Sequence, residues 1–421
     1  MLDVLASVAG WTILGGALGV VGLDLSSSIN RFALDRRYRS DRLTAFRERS
    51  RTLLAIANIK KEGAERSWNG IRKFVVEKIV DEAADIKSFY LRPHDGKALP
   101  SFFPGQYLTF HLQIPTHTGP VIRCYSLSEA PGDSDRYRVT IKKVAVVEPS
   151  KTRPGVASGY FHQNVQEGDI LNVRAPSGDF VLDLMSDKPV VLISGGIGVT
   201  PMLSMLGSLI RLGSRRAIYF FHGVKNKSEQ VMGDHLRQMS AEHDNVRLVV
   251  AYSQPSDTCI LGEHYDATGH LSVELMKAAL PSKICDYYLC GPPGMMSSVA
   301  QGLSDWGVPS DLVHAEAFGP AAIRSAHAAD KSSDAAAPVP VVFARSGKEC
   351  LWGAEDGFLL DIATKHGVYI DTGCRAGSCG TCLTAIKSGK IRYLQPPGHE
   401  IEAGSCLACV AVPDGPLTID V

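Results

Sequence analysis

The chain has 421 residues, too many for one ordinary domain, and its 45% apolar content supports several packed cores rather than a disordered chain. Its 44 basic and 44 acidic side chains cancel, so global charge offers no attraction for nucleic acid. Ten cysteines are too few for a disulfide-built scaffold of this length, which points to a reducing compartment and to thiolates used as ligands.

The first predicted element is a membrane span. Val4 to Leu23 runs for twenty residues without a charge, enough to cross a bilayer core. Eight arginines follow between Arg31 and Arg51, and positive charge on one flank assigns that flank to the cytoplasm. The expectation is a single-pass anchor over 1–24 in the inner membrane, with the remaining domains cytoplasmic. Mixed-charge residues 25–65 read as a helical juxtamembrane spacer.

From Trp68 the texture turns to short β-type runs, among them "RKFVVEKIV", "GQYLTFHLQI", "VIRCYSL" and "YRVTIKKVAVV", separated by Pro, Gly and Asp. Such spacing predicts an antiparallel β-barrel over 66–183, with "GDILNVRAPSGDFVL" supplying two closing strands. From Lys188 apolar strands such as "PVVLISG" alternate with helices such as "TPMLSMLGSLIRLG", which predicts a parallel α/β domain over 184–320. An Ala-, Ser-, Asp- and Pro-rich stretch over 321–338 reads as a flexible linker, and 339–421 as a small terminal domain.

That last domain contains "DTGCRAGSCGTCLTAIKSG". Cys374-x4-Cys379-x2-Cys382 has the plant-type [2Fe–2S] spacing, and the glycines, alanine and serine around the thiols let the loop wrap closely about a small cluster. Later, "SCLACVAVP" offers Cys406 and Cys409 as the fourth ligand, and Cys409 stands directly before an apolar run. A structural zinc site wants two CxxC or CxxH pairs, which this four-residue spacer does not supply.

In the barrel, "RCYS" combines a guanidinium suited to a pyrophosphate, a tyrosine two residues on that can lie against a flavin ring, and a hydroxyl beside it. Tyr107 precedes it, and Gly155 and Ser158 follow at the start of a short helix, a terminus suited to phosphate. In the α/β domain, Gly195, Gly196 and Gly198 lie between a strand and a helix beginning near Thr200 and Pro201, where backbone can approach a dinucleotide. Cys290 and Gly291 close a late strand, where open α/β sheets bind ligands. No ribose-binding acid follows the second strand, and Lys225 and Lys227 stand there as partners for a 2′-phosphate or as solvated lysines.

These motifs, in this order, resemble the ferredoxin–NADP reductase superfamily, with RxYS on a flavin barrel and GGxGxTP in a nucleotide domain. The region from Val339 to Val421 resembles the plant-type ferredoxin domain, a β-grasp fold. The resemblance implies that Arg123, Cys124, Tyr125 and Ser126 hold FAD (FMN in some relatives), with Tyr107 beside it, and that Cys290 lines the NADH or NADPH pocket. It also favours Cys409 over Cys406. "HAEAFGP" resembles the flavin-domain end of flavohaemoglobins and sets Glu316 and Phe318 near the isoalloxazine. Tyr125, Ser126, Cys290 and Glu316 are the expected catalytic side chains.

The resemblance is to reductase components of multicomponent oxygenases. It implies electron flow from NAD(P)H through FAD to [2Fe–2S] and on to a terminal oxygenase of Rieske, diiron or haem type, or another one-electron acceptor. The alternatives are a hybrid-cluster-protein or quinone reductase, a flavohaemoglobin-like self-sufficient oxidase, and a tethered metal-binding scaffold with no enzymatic activity.

Overall fold

The computed structural model describes residues 42–116, 120–132, 135–144, 155–318, 338–373, 375–377, 379–393 and 401–421, with four isolated residues between 32 and 39. The chain divides into two compact units, Met1–Ile56 and Ala57–Val421. Residues 42–66 form helix α1, of which 42–56 belong to the first unit.

The expectation of a membrane-anchored fold and of an inner-membrane location is corrected here. Among the described residues no helix is long and apolar enough to cross a membrane. The described N-terminal helix, α1, carries Arg42, Arg47, Arg49, Arg51, Lys60, Lys61 and Arg66, and charges at this density are incompatible with a bilayer core. The stretch Val4 to Leu23 lies outside the described residues.

In the second unit, strands β1 (Arg72–Ala83), β2 (Ile86–Pro93), β3 (Tyr107–Leu112), β4 (Val121–Ser126), β5 (Tyr137–Lys142) and β6 (Ile170–Ser177) pair antiparallel in the order β4-β3-β6-β1-β2-β5. A bridge between Leu127, just past β4, and Val139 of β5 joins the two ends of that order, so the sheet closes as a barrel. Alternation sends Leu108 and Phe110 inward from β3, and both are fully buried. Helix α2 (Val156–Gln163) inserts Phe161, which meets Phe89 at 5.1 Å, Phe110 at 5.3 Å and Tyr125 at 5.4 Å, all edge to face. The second closing strand expected at "FVL" does not form. Leu182 instead donates its backbone N–H to Pro104 O at 3.0 Å, a single tie rather than a ladder.

The next sheet is parallel: β7 (Val190–Gly195), β8 (Ile218–Val224), β9 (Val246–Tyr252), β10 (Ala267–Thr268), β11 (Asp286–Gly291) and β12 (Val313–Ala317) in the order β10-β9-β8-β7-β11-β12. Helices α3 (Val199–Leu212), α4 (Gly233–Glu242), α5 (Val273–Ala279) and α6 (Pro293–Asp305) are interspersed among them. Every residue of β7 and of β11 is buried, as expected of strands covered on both faces. The connection direction reverses between β7 and β11, which creates a crevice at their C-terminal ends.

The third domain sets β13 (Val339–Phe343) parallel to β19 (Leu417–Ile419) in a sheet of order β14-β13-β19-β15-β17, with β14 (Lys348–Trp352), β15 (Leu383–Ser388) and β17 (Ser405–Leu407). Helix α7 (Leu359–Lys365) buries Leu359, Ile362 and Ala363 in the same core. Strands β16 (Ile391–Tyr393) and β18 (Ala411–Pro413) form a separate pair. A mixed sheet gripping one helix matches the expected β-grasp architecture.

One buried ion pair ties the nucleotide sheet to the segment that leaves the barrel. Arg216 Nη2 meets Asp286 Oδ2 at 2.7 Å with both side chains buried, while its other nitrogens donate to the carbonyls of Asp183 and Lys188. Arg216→Met removes the buried partner and leaves Asp286 with only the more distant Lys188 ammonium, at 3.7 Å, and the Ser186 hydroxyl. We expect a loss of about 3–5 kcal/mol of stability, read as a lower urea midpoint, and a partial recovery in Arg216→Met/Asp286→Leu.

Candidate functional site

Strands β3 and β4 pair so that Tyr107 faces Ser126, Leu108 faces Tyr125, Thr109 faces Cys124 and Phe110 faces Arg123. The RCYS residues thus share one short ladder with Tyr107. Tyr107 and Ser126 are buried, whereas Arg123, Cys124 and Tyr125 keep partial exposure. Burial pushes the Tyr125 hydroxyl up, with Arg123 opposing, so it stays a neutral donor. Cys124 Sγ lies 3.4 Å from Thr109 Oγ1. Gly178 adopts φ +116°, and a Cβ there would stand 2.6 Å from the Tyr107 ring. Gly155 precedes α2, where a Cβ would stand 2.4 Å from Ser158 Oγ. That hydroxyl donates to Gly155 O at 3.2 Å and accepts from Val144 N at 3.1 Å. The small-residue turn is therefore tied both to the helix start and to Val144, just past β5, whose carbonyl accepts from Gly155 N at 3.1 Å.

The glycine turn sits in the crevice at the reversal point. After β7, Gly196 takes φ +50°, Gly196–Gly198 makes a single 3₁₀ turn, and α3 begins with Thr200 and Pro201 buried in its first turn. Thr200 Oγ1 donates to Ile197 O at 3.1 Å. The turn packs directly on the end of β11. A Cβ at Gly198 would lie 2.2 Å from Cys290 O, and one at Gly291 2.9 Å from Gly195 N. Glycine is thus required by close approach of two loops as well as by ligand access. Beneath the turn, Ser194 Oγ bonds His222 Nδ1 at 2.8 Å, and burial holds this imidazole neutral down to about pH 4.

Cys290 and Glu316 are register partners across β11 and β12. Burial pushes the Cys290 thiol up, with Glu316 adding to the shift, so it is not a thiolate. Burial also raises the Glu316 carboxyl to about 8. Its Oε2 is sealed from solvent and has no hydrogen-bond partner among the described residues, the state of an acid awaiting a ligand. Phe318, just beyond β12, is 37% exposed.

In the terminal domain, Cys382 and Cys409 share a side-chain hydrogen bond, which lowers the Cys382 thiol against the opposing effect of burial. Cys379 Sγ lies 3.1 Å from Thr381 Oγ1. Cys374 lies outside the described residues, and among those described no group of three or more ligand side chains converges. Cys406 belongs to the same packed core as Cys382 and Cys409. It sits on β17 opposite Thr384, fully buried, with burial raising its thiol to about 12. The donor set fits a cluster of thiolate ligands: a lean loop, a contacting Cys382–Cys409 pair, and Arg375 and Gly377 at positive φ turning the chain around the sulfurs.

The loop lies on the barrel. Arg123 Nη1 reaches Gly373 O at 3.4 Å, across 250 residues of sequence. A Cβ at Gly373 would lie 2.6 Å from Cys379 Sγ and 3.2 Å from Ile122 Cγ2 of β4. The cysteine loop and the RCYS strand are therefore in contact. His111 of β3, opposite Ile122 of β4, belongs to none of the ligand motifs in the sequence. The period-2 alternation that puts it on the face of Tyr107 and Thr109 was the signal available.

Three family models match: an oxidoreductase FAD-binding domain over 73–182, an oxidoreductase NAD-binding domain over 192–301, and a 2Fe-2S iron-sulfur cluster binding domain over 344–414. The flavohemoprotein of Halalkalibacterium halodurans is 41% identical over 258 residues, 61% of this chain and 62% of that protein. That of Bordetella pertussis is 38% identical over 271 residues, 64% and 65%. The chain thus spans less than two thirds of the length of these relatives. Among solved structures, the flavohem-like FAD/NAD-binding domain of a Vibrio cholerae nitric oxide dioxygenase is 32% identical (TM-score 0.53), covering 60% of this chain and all of that one. Phthalate dioxygenase reductase, described as a modular structure for electron transfer from pyridine nucleotides to [2Fe-2S], is 25% identical (TM-score 0.53), covering 84% and 98%.

The two late cysteines are separable by substitution. Cys409→Ser is expected to lose most of its iron and the visible absorption of the cluster, while Cys406→Ser retains both. Iron analysis on the purified variants checks the assignment.

Proposed function

The chain belongs to the ferredoxin–NADP reductase superfamily of oxidoreductases, with FAD-binding, NAD-binding and C-terminal plant-type [2Fe–2S] domains, and from this premise we propose that it passes electrons from NADH to a one-electron acceptor protein, in the first instance a terminal oxygenase. The observation that carries the reading is the contact of Gly373 with Ile122 and Arg123, which sets the thiol loop against the flavin-motif strand. When bound, FAD accepts a hydride from the nicotinamide and the [2Fe–2S] group carries electrons singly.

The chain's own residues divide the work. Arg123 offers a guanidinium to the flavin pyrophosphate, with Gly155 and Ser158 presenting the start of α2 to the same group. Tyr125, Ser126 and Tyr107 orient the ring, and Cys124 contributes through its backbone. Gly195, Gly196, Gly198, Thr200 and Pro201 receive the nicotinamide dinucleotide, and Cys290 with Gly291 lines the far wall of that crevice. Glu316 holds a proton beside Cys290, and Phe318 shields the flavin face. Cys374, Cys379, Cys382 and Cys409 hold the iron. Glu229 engages Lys225 at 3.3 Å and Lys142 at 2.7 Å, which leaves Lys225 less able to meet a 2′-phosphate and supports NADH over NADPH.

The oxygenase reading draws on the likeness to phthalate dioxygenase reductase along 84% of the chain. The flavohemoprotein likeness, over 61% of the chain, supports a haem acceptor as the second reading. Anaerobic titration separates these enzymes from a zinc scaffold. About 1.5 equivalents of NADH should bleach the flavin and develop the EPR signal of a reduced [2Fe–2S] cluster. A colourless protein, or a flavin that bleaches with no EPR signal, would overturn the proposal. Reduction of a Rieske, a diiron and a haem oxygenase by the same protein ranks the acceptors.

Glu316 gives a pH signature. Its carboxyl is protonated below about pH 8 and ionises above it. Flavin reduction by NADH should therefore fall as pH rises through about 8, and Glu316→Gln should remove that limb of the profile.

A further inference from the structure

The cysteine loop has a neighbour that none of the ligand motifs contains. His111 stands on the outer face of β3, directly opposite Ile122 on β4 and Asn172 on β6. Ile122 touches the position of Gly373, and Gly373 abuts Cys379 Sγ. His111 Nε2 is sealed from solvent and has no hydrogen-bond partner among the described residues. A buried, unsatisfied ring nitrogen is unfavourable unless something bonds it. A ring nitrogen that carries hydrogen is a donor, and Nε2 is the nitrogen left to be satisfied at this contact.

We propose that His111 donates its Nε2–H to the sulfur of Cys379 in the iron-loaded protein, so that the flavin barrel contributes a hydrogen bond to the [2Fe–2S] site of another domain. This rests on the reading of the loop as the cluster's ligand set. The reduced cluster carries one more negative charge than the oxidised one, and a donor to a ligand sulfur stabilises that extra charge. His111 is a positioning and tuning residue: it raises the cluster's potential and favours docking of the reduced terminal domain on the barrel.

The test compares His111→Leu, which removes the donor, with His111→Gln, whose amide restores one. In His111→Leu the equilibrium constant for electron transfer from flavin to cluster should drop about tenfold, a cluster potential about 59 mV lower, with the flavin potential and iron content unchanged. His111→Gln should return toward the parent value. If His111→Leu loads iron and keeps the parent potential, the proposal is overturned. Should the leucine variant fail to load, pulsed EPR of the reduced parent protein carrying ¹⁵N-histidine decides: weak coupling to one imidazole nitrogen, lost in His111→Gln, supports the bond, and its absence overturns it. Absence of any cluster EPR signal in the parent protein would instead sink the functional reading on which this inference stands.

Discussion

The structure depends on a close approach: a loop of the terminal domain has no side chain at residue 373, and so rests on strand β4 of the barrel. Any Cβ at Gly373 would collide with Cys379 Sγ and Thr381 Oγ1 on one side and crowd Ile122 on the other. Electron transfer falls off steeply with distance, so what matters is how few atoms separate the flavin motif from the cysteines. Here the separation is a single backbone carbonyl, that of Gly373, within reach of the Arg123 guanidinium. The same economy recurs in the nucleotide crevice, where Gly195, Gly198 and Gly291 let two loops interlock at the reversal point of the sheet. In both places glycine is used to bring backbone, not side chains, together.

Rigid framing surrounds these contacts. Phe161 of α2 locks the RCYS tyrosine edge to face, and the Arg216–Asp286 pair fixes the segment between barrel and nucleotide sheet. Against that frame, the unsatisfied polar atoms stand out. Among several buried polar atoms without a partner among the described residues are Glu316 Oε2, on β12 opposite Cys290, and His111 Nε2, beside the cysteine loop. Native proteins rarely tolerate such atoms without a ligand or a bond made during function. Their positions bracket the route proposed for the electrons.

Much of the architecture was legible because it is local. The period-2 runs around "GQYLTFHLQI" and "VIRCYSL", the strand–glycine–helix turn at "LISGGIGVTP" and the Cys-x4-Cys-x2-Cys spacing each announce their element within a dozen residues. What the sequence hid is non-local. Cys409 bonds Cys382 through folding of the β-grasp, and in the sequence only its apolar neighbours and the ferredoxin resemblance favoured it over Cys406. Arg216 and Asp286 are 70 residues apart, and Arg123 and Gly373 are 250 apart, so no window contains either pair. The membrane expectation failed for a different reason. It drew on the hydropathy of Val4 to Leu23, outside the described residues, and the helix that is described carries charges at both ends, over 42–51 and 60–66.

The claim that contact between the cysteine loop and β4 carries the electrons can be tested at a residue that ligates nothing. Ile122→Lys places a charge where the Gly373 backbone rests. In single-turnover anaerobic stopped-flow with NADH, the expected result is flavin reduction at the parent rate, full iron content, and cluster reduction slowed at least tenfold. Cluster reduction at the parent rate in that variant would contradict the claim, because electrons would then be leaving the barrel by another face.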